Sequence, residues 1–283
     1  MLFRSLLTEM VDMVAEPIRA SLLFFPVLQK SWGPWGKFER ARADLDVLIY
    51  GEISDRRKAG VENREDILSL LMTARDEDGN PMTDEELRDE LITLLFAGHE
   101  TTATAMAWAI YWLHRQPECL EKLRDELSAV PGDMPPMDMM RLPYLSAVCN
   151  EALRLYPVAI VTFPRYVEKP FELDGYTLEQ GRIILGSIYS VHHQEDIFPD
   201  SHAFRPERFL ERSFSATEFM PFGGGSRRCV GAALAMAELA IAIGTWLKQG
   251  NFALNEPGPV QPQRRGVTLG QKGGVNMRFV GPV

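Results

Sequence analysis

Cysteine is scarce in this chain. There are three in 283 residues, at positions 119, 149 and 229, and no two form a CxxC pair. So few cannot make a disulfide framework, which points to reducing, cytoplasmic surroundings. Positive charge is also short. Thirty Lys and Arg stand against 39 Asp and Glu, a net charge of −9, and no basic run tracks a phosphate backbone. Nucleic acid is therefore not a partner. Long apolar runs are missing too. Glu9, Asp12 and Glu16 interrupt the leading stretch, which rules out a secretory signal. The two least polar stretches, 91–113 and 231–247, carry His99-Glu100 and Glu238, so each reads as a buried helix and no membrane span is evident. Internal repeats and domain linkers are absent as well.

What remains is an ordinary globular composition, 46% apolar and 24% charged. Residues 1–16 have the pattern of an amphipathic helix ended by Pro17, followed by apolar, turn-rich segments at 22–26 and 32–36. A charged helix from Lys37 to Lys58 should stop at Gly60, and a shorter one should cover Glu65 to Arg75. Thr83 and Glu86 form a capping box that opens a helix reaching His114 without a proline, roughly 45 Å long. Further helices are expected from Pro117 to about Val130, from Pro143 to Tyr156, and from Gly231 to Lys248. The last is apolar nearly all round, which predicts burial. Phe171-Glu172-Leu173 and Arg182-Ile183-Ile184-Leu185, divided by Asp174-Gly175 and Gln180-Gly181, predict small β-hairpins. Another small sheet should lie between Asn251 and Val283. Helix dominates and β-structure is minor.

Chemistry concentrates in Phe222-Gly223-Gly224-Gly225-Ser226-Arg227-Arg228-Cys229-Val230-Gly231, which runs into the apolar helix. Glycines allow sharp turns and close approach to a flat ligand. A cysteine just ahead of a helix sits at the positive end of its dipole, which favours thiolate over thiol. A lone cysteine is more often simple packing; the glycines, the two arginines and the following helix reverse that balance. A second cluster, Ala97-Gly98-His99-Glu100-Thr101-Thr102, sets an acid and two hydroxyls inside a mostly apolar helix, a costly placement unless they are paired or functional. The small Ala97-Gly98 pair would let a large ligand approach the backbone. Glu151 and Arg154, three apart, share a helix face. Such pairs are common and usually solvated. Downstream, Phe204-Arg205-Pro206-Glu207-Arg208-Phe209 offers a second arginine, and two guanidiniums can keep one carboxylate buried.

The decapeptide ending at Gly231 resembles the cysteine-loop signature of the cytochrome P-450 family. The Ala97–Thr102 segment is similar to that family's oxygen-activation motif, and Glu151, Arg154 and Arg208 match its Glu–Arg–Arg triad. All four segments occur in family order, 50 positions from Thr101 to Glu151, 54 from Arg154 to Arg208 and 21 from Arg208 to Cys229. The resemblance implies a mainly α fold with small β-sheets, the cytochrome P-450 fold, as a single haem-thiolate domain over 1–283. It also implies that the chain starts at the family's substrate-lid helices and is N-terminally truncated. Haem b would be the cofactor, with Cys229 as its iron ligand. Arg227 and, on a weaker match, Arg165 would meet its propionates, and Phe222, Gly223 and Gly231 would shape the loop around the sulfur. Ala97 and Gly98 would lie over the ring, Thr101 would hold and protonate dioxygen, and Glu100 would feed the proton. Glu151, Arg154 and Arg208 would support the pocket structurally, while His99 occupies the motif's variable position and takes no role. The implied reaction inserts one atom of O2 into a small hydrophobic organic substrate, with electrons from a ferredoxin or flavoprotein reductase drawn to the positive charge of Arg227 and Arg228. Two alternatives stay open: a haem-thiolate isomerase or dehydratase that needs no external electrons, and a non-catalytic remnant.

Overall fold

A computed structural model describes residues 5, 6, 8, 10, 29, 34–255, 258–265 and 268–283. The expected leading helix and the segment 22–26 thus fall mostly outside the described residues. The chain divides into two compact units, Met1–Glu100 and Thr101–Val283, with the boundary inside one long helix.

In the first unit, α1 spans Pro34–Ala59 and α2 spans Ile67–Thr73. The helix α1 begins three residues earlier than the sequence pattern indicated, taking in the end of the presumed turn-rich segment. Proline is compatible with a first helical position, where its missing N–H would have no partner anyway. Gly60 ends α1 with φ of +80°, the left-handed conformation that glycine adopts at least cost. Asp66 caps α2 by accepting from the Ser69 amide at 3.0 Å. Leu45, Ile49, Ile53, Leu68 and Leu87 form this unit's apolar core. Beside it, Arg88 reaches Asp46 with two bonds, of 2.7 and 2.6 Å.

The long helix α3 covers Asp84–Arg115. Its start is the capping box read from the sequence: the Thr83 amide donates to Glu86 Oε2 at 2.8 Å, and the Glu86 amide donates to Thr83 Oγ1 at 3.2 Å. The second unit then adds α4 (Pro117–Ser128), a 3₁₀ turn (Pro136–Arg141) and α5 (Pro143–Leu155). Both helices open on proline, which explains their sharp starts. The first turn of α5 has no cap of its own. Glu126 on α4 supplies one, accepting from the amides of Tyr144 at 2.7 Å and Leu145 at 2.9 Å.

Among the described residues, four two-stranded antiparallel sheets follow. Strands β1 (Arg165–Tyr166) and β4 (Ile183–Ile184) pair, and β2 (Phe171–Leu173) and β3 (Tyr176–Leu178) form a tight hairpin. Its turn places Asp174 at φ of +50° and Gly175 at +79°, as a two-residue hairpin of this twist needs. Short helices α6 (Ile188–His192) and α7 (Arg208–Glu211) lead to the cysteine loop and to α8 (Ala232–Gln249). The tail pairs β5 (Asn251–Leu254) with β8 (Met277–Gly281), and β6 (Pro262–Arg265) with β7 (Thr268–Gln271).

Leu113, Leu123, Leu127, Leu145, Val148, Leu153, Leu239 and Ile243 build the core of the second unit from α3, α4, α5 and α8. Trp108 stacks on Tyr156 with ring centroids 3.9 Å apart and planes within 8°. The tail is fastened to α3 by polar bonds: Trp108 Nε1 donates to the Leu269 carbonyl at 3.1 Å, and Gln271 Nε2 donates to the Thr104 carbonyl at 2.9 Å. No helix among the described residues is long and apolar enough to cross a membrane.

Candidate haem-thiolate site

Glycine and a 3₁₀ turn shape the cysteine loop. Gly223 and Gly225 sit at φ of +70° and +67°, where a side chain would be strained. Residues Gly225–Arg227 make the single turn. The Cys229 amide donates to the Phe222 carbonyl at 2.9 Å, closing the loop into a ring of backbone, and Arg228 N donates to Gly225 O at 3.2 Å. The Phe222 side chain packs against the main core, which fixes the near end of the loop. Gly231 is the N-cap of α8. The Cys229 thiol is exposed, whereas Cys119 and Cys149 are buried.

One expectation about α8 needs correction. Its apolar sequence predicted burial all round, yet Leu234 is 53% exposed, Val230 just ahead of the helix is 92% exposed, and Ala233 is exposed as well. Apolar periodicity reports what a helix face prefers, not what covers it. Val230 directly follows Cys229 in the chain, and Ala233 and Leu234 lie in the first turn of α8. A Cβ added at Gly223, Gly224 or Gly225 would meet no atom within 4 Å, so the loop presents open, flat backbone there. One exposed thiol, an apolar shoulder and open glycine backbone fit a haem, to whose iron Cys229 would supply the sulfur ligand. Arg227 and Arg228 are exposed and carry no ion pair among the described residues, so both stay available to anionic groups. Arg165, also exposed, donates from Nη1 to the Phe163 carbonyl at 3.0 Å.

The Ala97–Thr102 segment lies in the middle of α3. Ala97, Gly98 and His99 are exposed, Glu100 and Thr101 half-buried, and Thr102 buried. A Cβ at Gly98 would again find nothing within 4 Å, the open approach that a small residue permits.

Glu151, Arg154 and Arg208 come together in a buried cluster. Glu151 and Arg154 are 0% exposed and Arg208 3%. Arg154 grips Glu151 with two bonds, Nε to Oε2 at 2.7 Å and Nη2 to Oε1 at 2.9 Å. Arg208 Nε adds a third, to Oε1 at 3.1 Å, and the Arg205 amide a fourth at 2.8 Å. The remaining guanidinium donors go to backbone. Arg154 Nη1 reaches the carbonyls of His192 and Ser201, each at 2.8 Å, and Arg208 Nη1 reaches that of Pro199 at 3.0 Å. Every oxygen of the carboxylate is satisfied, as a buried charge requires.

Sequence reasoning missed His192 here. Fully buried, it accepts the Met220 amide at Nε2 (3.0 Å), while Nδ1 faces the Arg154 carbonyl at 3.2 Å. No motif marks it; a histidine is recognisable as structural only once its two neighbours are known. Burial above all, and then the positive Arg154 and His193, push its pKa down from 6.5 to about 3, although the bond to the Arg154 carbonyl works the other way. The folded chain therefore holds the neutral ring and the unfolded chain takes up the proton. Stability from this source is fully present above pH 6.5 and drains away as the pH falls toward 3. Between pH 7.5 and 4.5 the loss should be about 2–3 kcal/mol. Urea midpoints at the two pH values measure it, and His192→Gln should remove most of the difference. Half-buried His114 and His193 shift in the same direction and account for a remainder.

The family described as Cytochrome P-450 matches residues 3–275. The chain is similar to a Mycobacterium tuberculosis protein carrying the name cytochrome P-450 135B1, with 37% identity over 245 residues, 86% of this chain and 51% of that one. It is equally similar to cytochrome P-450 137 of the same organism, at 37% over 246 residues, 87% of this chain and 49% of the other. Cyclooctatin synthase of Streptomyces melanosporofaciens is 39% identical over 213 residues, 73% of this chain and 46% of its own length. The chain spans about half the length of the curated relatives it matches. With a family match over nearly all its residues and relatives above one-third identity, the chain belongs to the cytochrome P-450 family.

Proposed function

We propose that the chain is the haem-thiolate portion of a monooxygenase, with Cys229 as the ligand to the iron of haem b. The observation that carries this reading is the exposed Cys229 thiol, held by its own amide on the Phe222 carbonyl and flanked by uncovered Val230, Ala233 and Leu234. Family membership supports it. Bound haem would supply the activation of dioxygen, and the overall balance is RH + O2 + two electrons + two protons giving ROH + H2O.

The chain's own residues then have the following tasks. Cys229 Sγ would supply electron density to the iron from its place ahead of α8. Gly223 and Gly231 would let the backbone approach the ring closely, and Phe222 anchors the loop to the core. Arg227 and Arg165 would pair with the propionates. By resemblance to the family's oxygen-activation motif, Ala97 and Gly98 would leave room for the ring, Thr101 Oγ1 would hold and pass a proton, and Glu100 would resupply it. Glu151, Arg154 and Arg208 keep the segment that carries the loop in place without touching the reacting atoms. A small apolar organic molecule is the substrate class, and Arg227 with Arg228 would draw an acidic ferredoxin or flavoprotein reductase.

Haem titration into the full chain, followed by reduction and CO, tests this first. The expected result is stoichiometric haem with the red-shifted Soret band of thiolate ligation. A chain that binds no haem, or shows only the unshifted band, sinks the reading.

A further inference from the structure

A run of hydrogen bonds connects the buried carboxylate to the cysteine loop, and one side chain makes the crossing. Arg154, held by Glu151, donates through Nη1 to the His192 carbonyl at 2.8 Å. The His192 ring returns to α5 through Nδ1, 3.2 Å from the Arg154 carbonyl. Its other nitrogen, Nε2, accepts the Met220 amide at 3.0 Å. The Met220 carbonyl accepts the Gly223 amide at 2.9 Å, and the Phe222 carbonyl accepts the amide of Cys229 at 2.9 Å. One tautomer satisfies both ring nitrogens, with the proton on Nδ1 and a bare Nε2. Phe219 stacks on the ring at 5.3 Å and Phe198 meets it edge-on at 6.2 Å, which fixes its plane.

We infer that His192 is a positioning residue for the cysteine loop, transmitting the placement of the Glu151–Arg154 pair to the backbone that presents the Cys229 sulfur. The functional half of this statement rests on the haem-thiolate reading; the mechanical half does not. Packing alone would need an aromatic of this size, and phenylalanine would serve. The structure instead has a ring with an acceptor facing the loop and a donor facing the helix, at the one place where both are needed. Among the described residues, loop residues 221–229 make no hydrogen bond to α5 or α6, so the Met220 contact with His192 at the end of α6 is where the loop's register is set.

The two ring nitrogens can be tested separately. His192→Asn puts its amide near the position of Nδ1, keeping the bond to α5 and losing the loop. His192→Gln reaches the position of Nε2 and restores an acceptor for Met220. Amide hydrogen exchange on the full chain without haem reads the mechanical effect. Asn should speed exchange over 219–229 by about tenfold or more with α5 unchanged, the scale expected when a buried amide loses its partner. Gln should stay within about threefold of wild type. With haem, reduction and CO, Asn should lower the fraction of red-shifted Soret absorption and Gln should restore it. Equal loosening of α5 and the loop by both variants, or no change in either, overturns the inference. A wild-type chain that never shows the red-shifted band defeats the haem-thiolate reading alone, and the exchange contrast still decides whether His192 sets the loop.

Discussion

Replacing Cys229 with serine should abolish the red-shifted Soret band of the reduced, CO-treated chain completely while leaving the urea unfolding free energy within about 0.5 kcal/mol of wild type. The thiol is exposed and packs in neither core, and the amide that closes the loop onto Phe222 is untouched by a change at Oγ. A serine hydroxyl remains protonated and is a poor donor to iron, so the signature disappears without a change in fold. The other two cysteines offer no substitute. Burial pushes the Cys149 thiol up to about 12 and raises Cys119 as well, so each stays a neutral thiol near pH 7 inside its core. Parallel Cys119→Ser and Cys149→Ser variants should reverse the pattern, keeping the band in whatever fraction folds and lowering stability. An unchanged spectrum in the Cys229→Ser chain would end the assignment of the ligand.

The contrast among these cysteines shows what a sequence can and cannot disclose. Elements whose limits are set locally were legible. The Thr83–Glu86 box, Gly60 after α1, and Pro117 and Pro143 at the starts of α4 and α5 each act within one helical turn, and the observed boundaries lie within a few residues of those expected. The hairpin β2–β3 was legible for the same reason, its two-residue turn carrying Asp174-Gly175. By contrast, β4 was visible as a strand but its partner was not. Arg165 pairs with Ile184 across an intervening hairpin, and nothing in either segment encodes that distance.

The candidate site divides in the same way. Glu151 and Arg154 share a face by helical spacing, and the aromatic, proline-rich setting of Arg208 singled it out. Most of the cluster's hydrogen bonds, however, end on backbone groups, among them the carbonyls of His192, Ser201 and Pro199 and the amide of Arg205. Every residue has these groups, so no side-chain pattern can announce them. His192 was hidden for a related reason. Its meaning lies in two distant backbone partners, Met220 and Arg154, brought together only by folding. The apolar surface of α8 was overinterpreted because composition states a preference for burial without naming the covering group, and for Val230 and Leu234 that group is a ligand on the present reading.

Glu151→Gln should be the most destabilising single change in the cluster, costing about 3–5 kcal/mol in urea unfolding. The substitution keeps shape and volume, so no cavity opens; what it removes is one negative charge facing two buried guanidiniums. Arg154 then retains its carbonyl partners but loses the ion that offsets its desolvation, and Arg208 Nε faces a neutral amide. The exposed Arg212–Glu218 pair supplies the control, because Glu218→Gln breaks an ion pair of similar length, 3.2 Å, in contact with water and should cost at most about 1 kcal/mol. Exchanging the whole cluster for apolar residues should not recover the loss, unlike buried ion pairs whose donors serve only each other. Four of the guanidinium contacts end on backbone carbonyls of residues 192, 199, 201 and 203, and an apolar replacement would strand all of them in the interior. A triple change of Glu151, Arg154 and Arg208 to methionine should therefore be at least as unstable as Glu151→Gln. If it proved more stable than Glu151→Gln, the carbonyl contacts would be incidental, and with them the route from Arg154 through His192 to the cysteine loop.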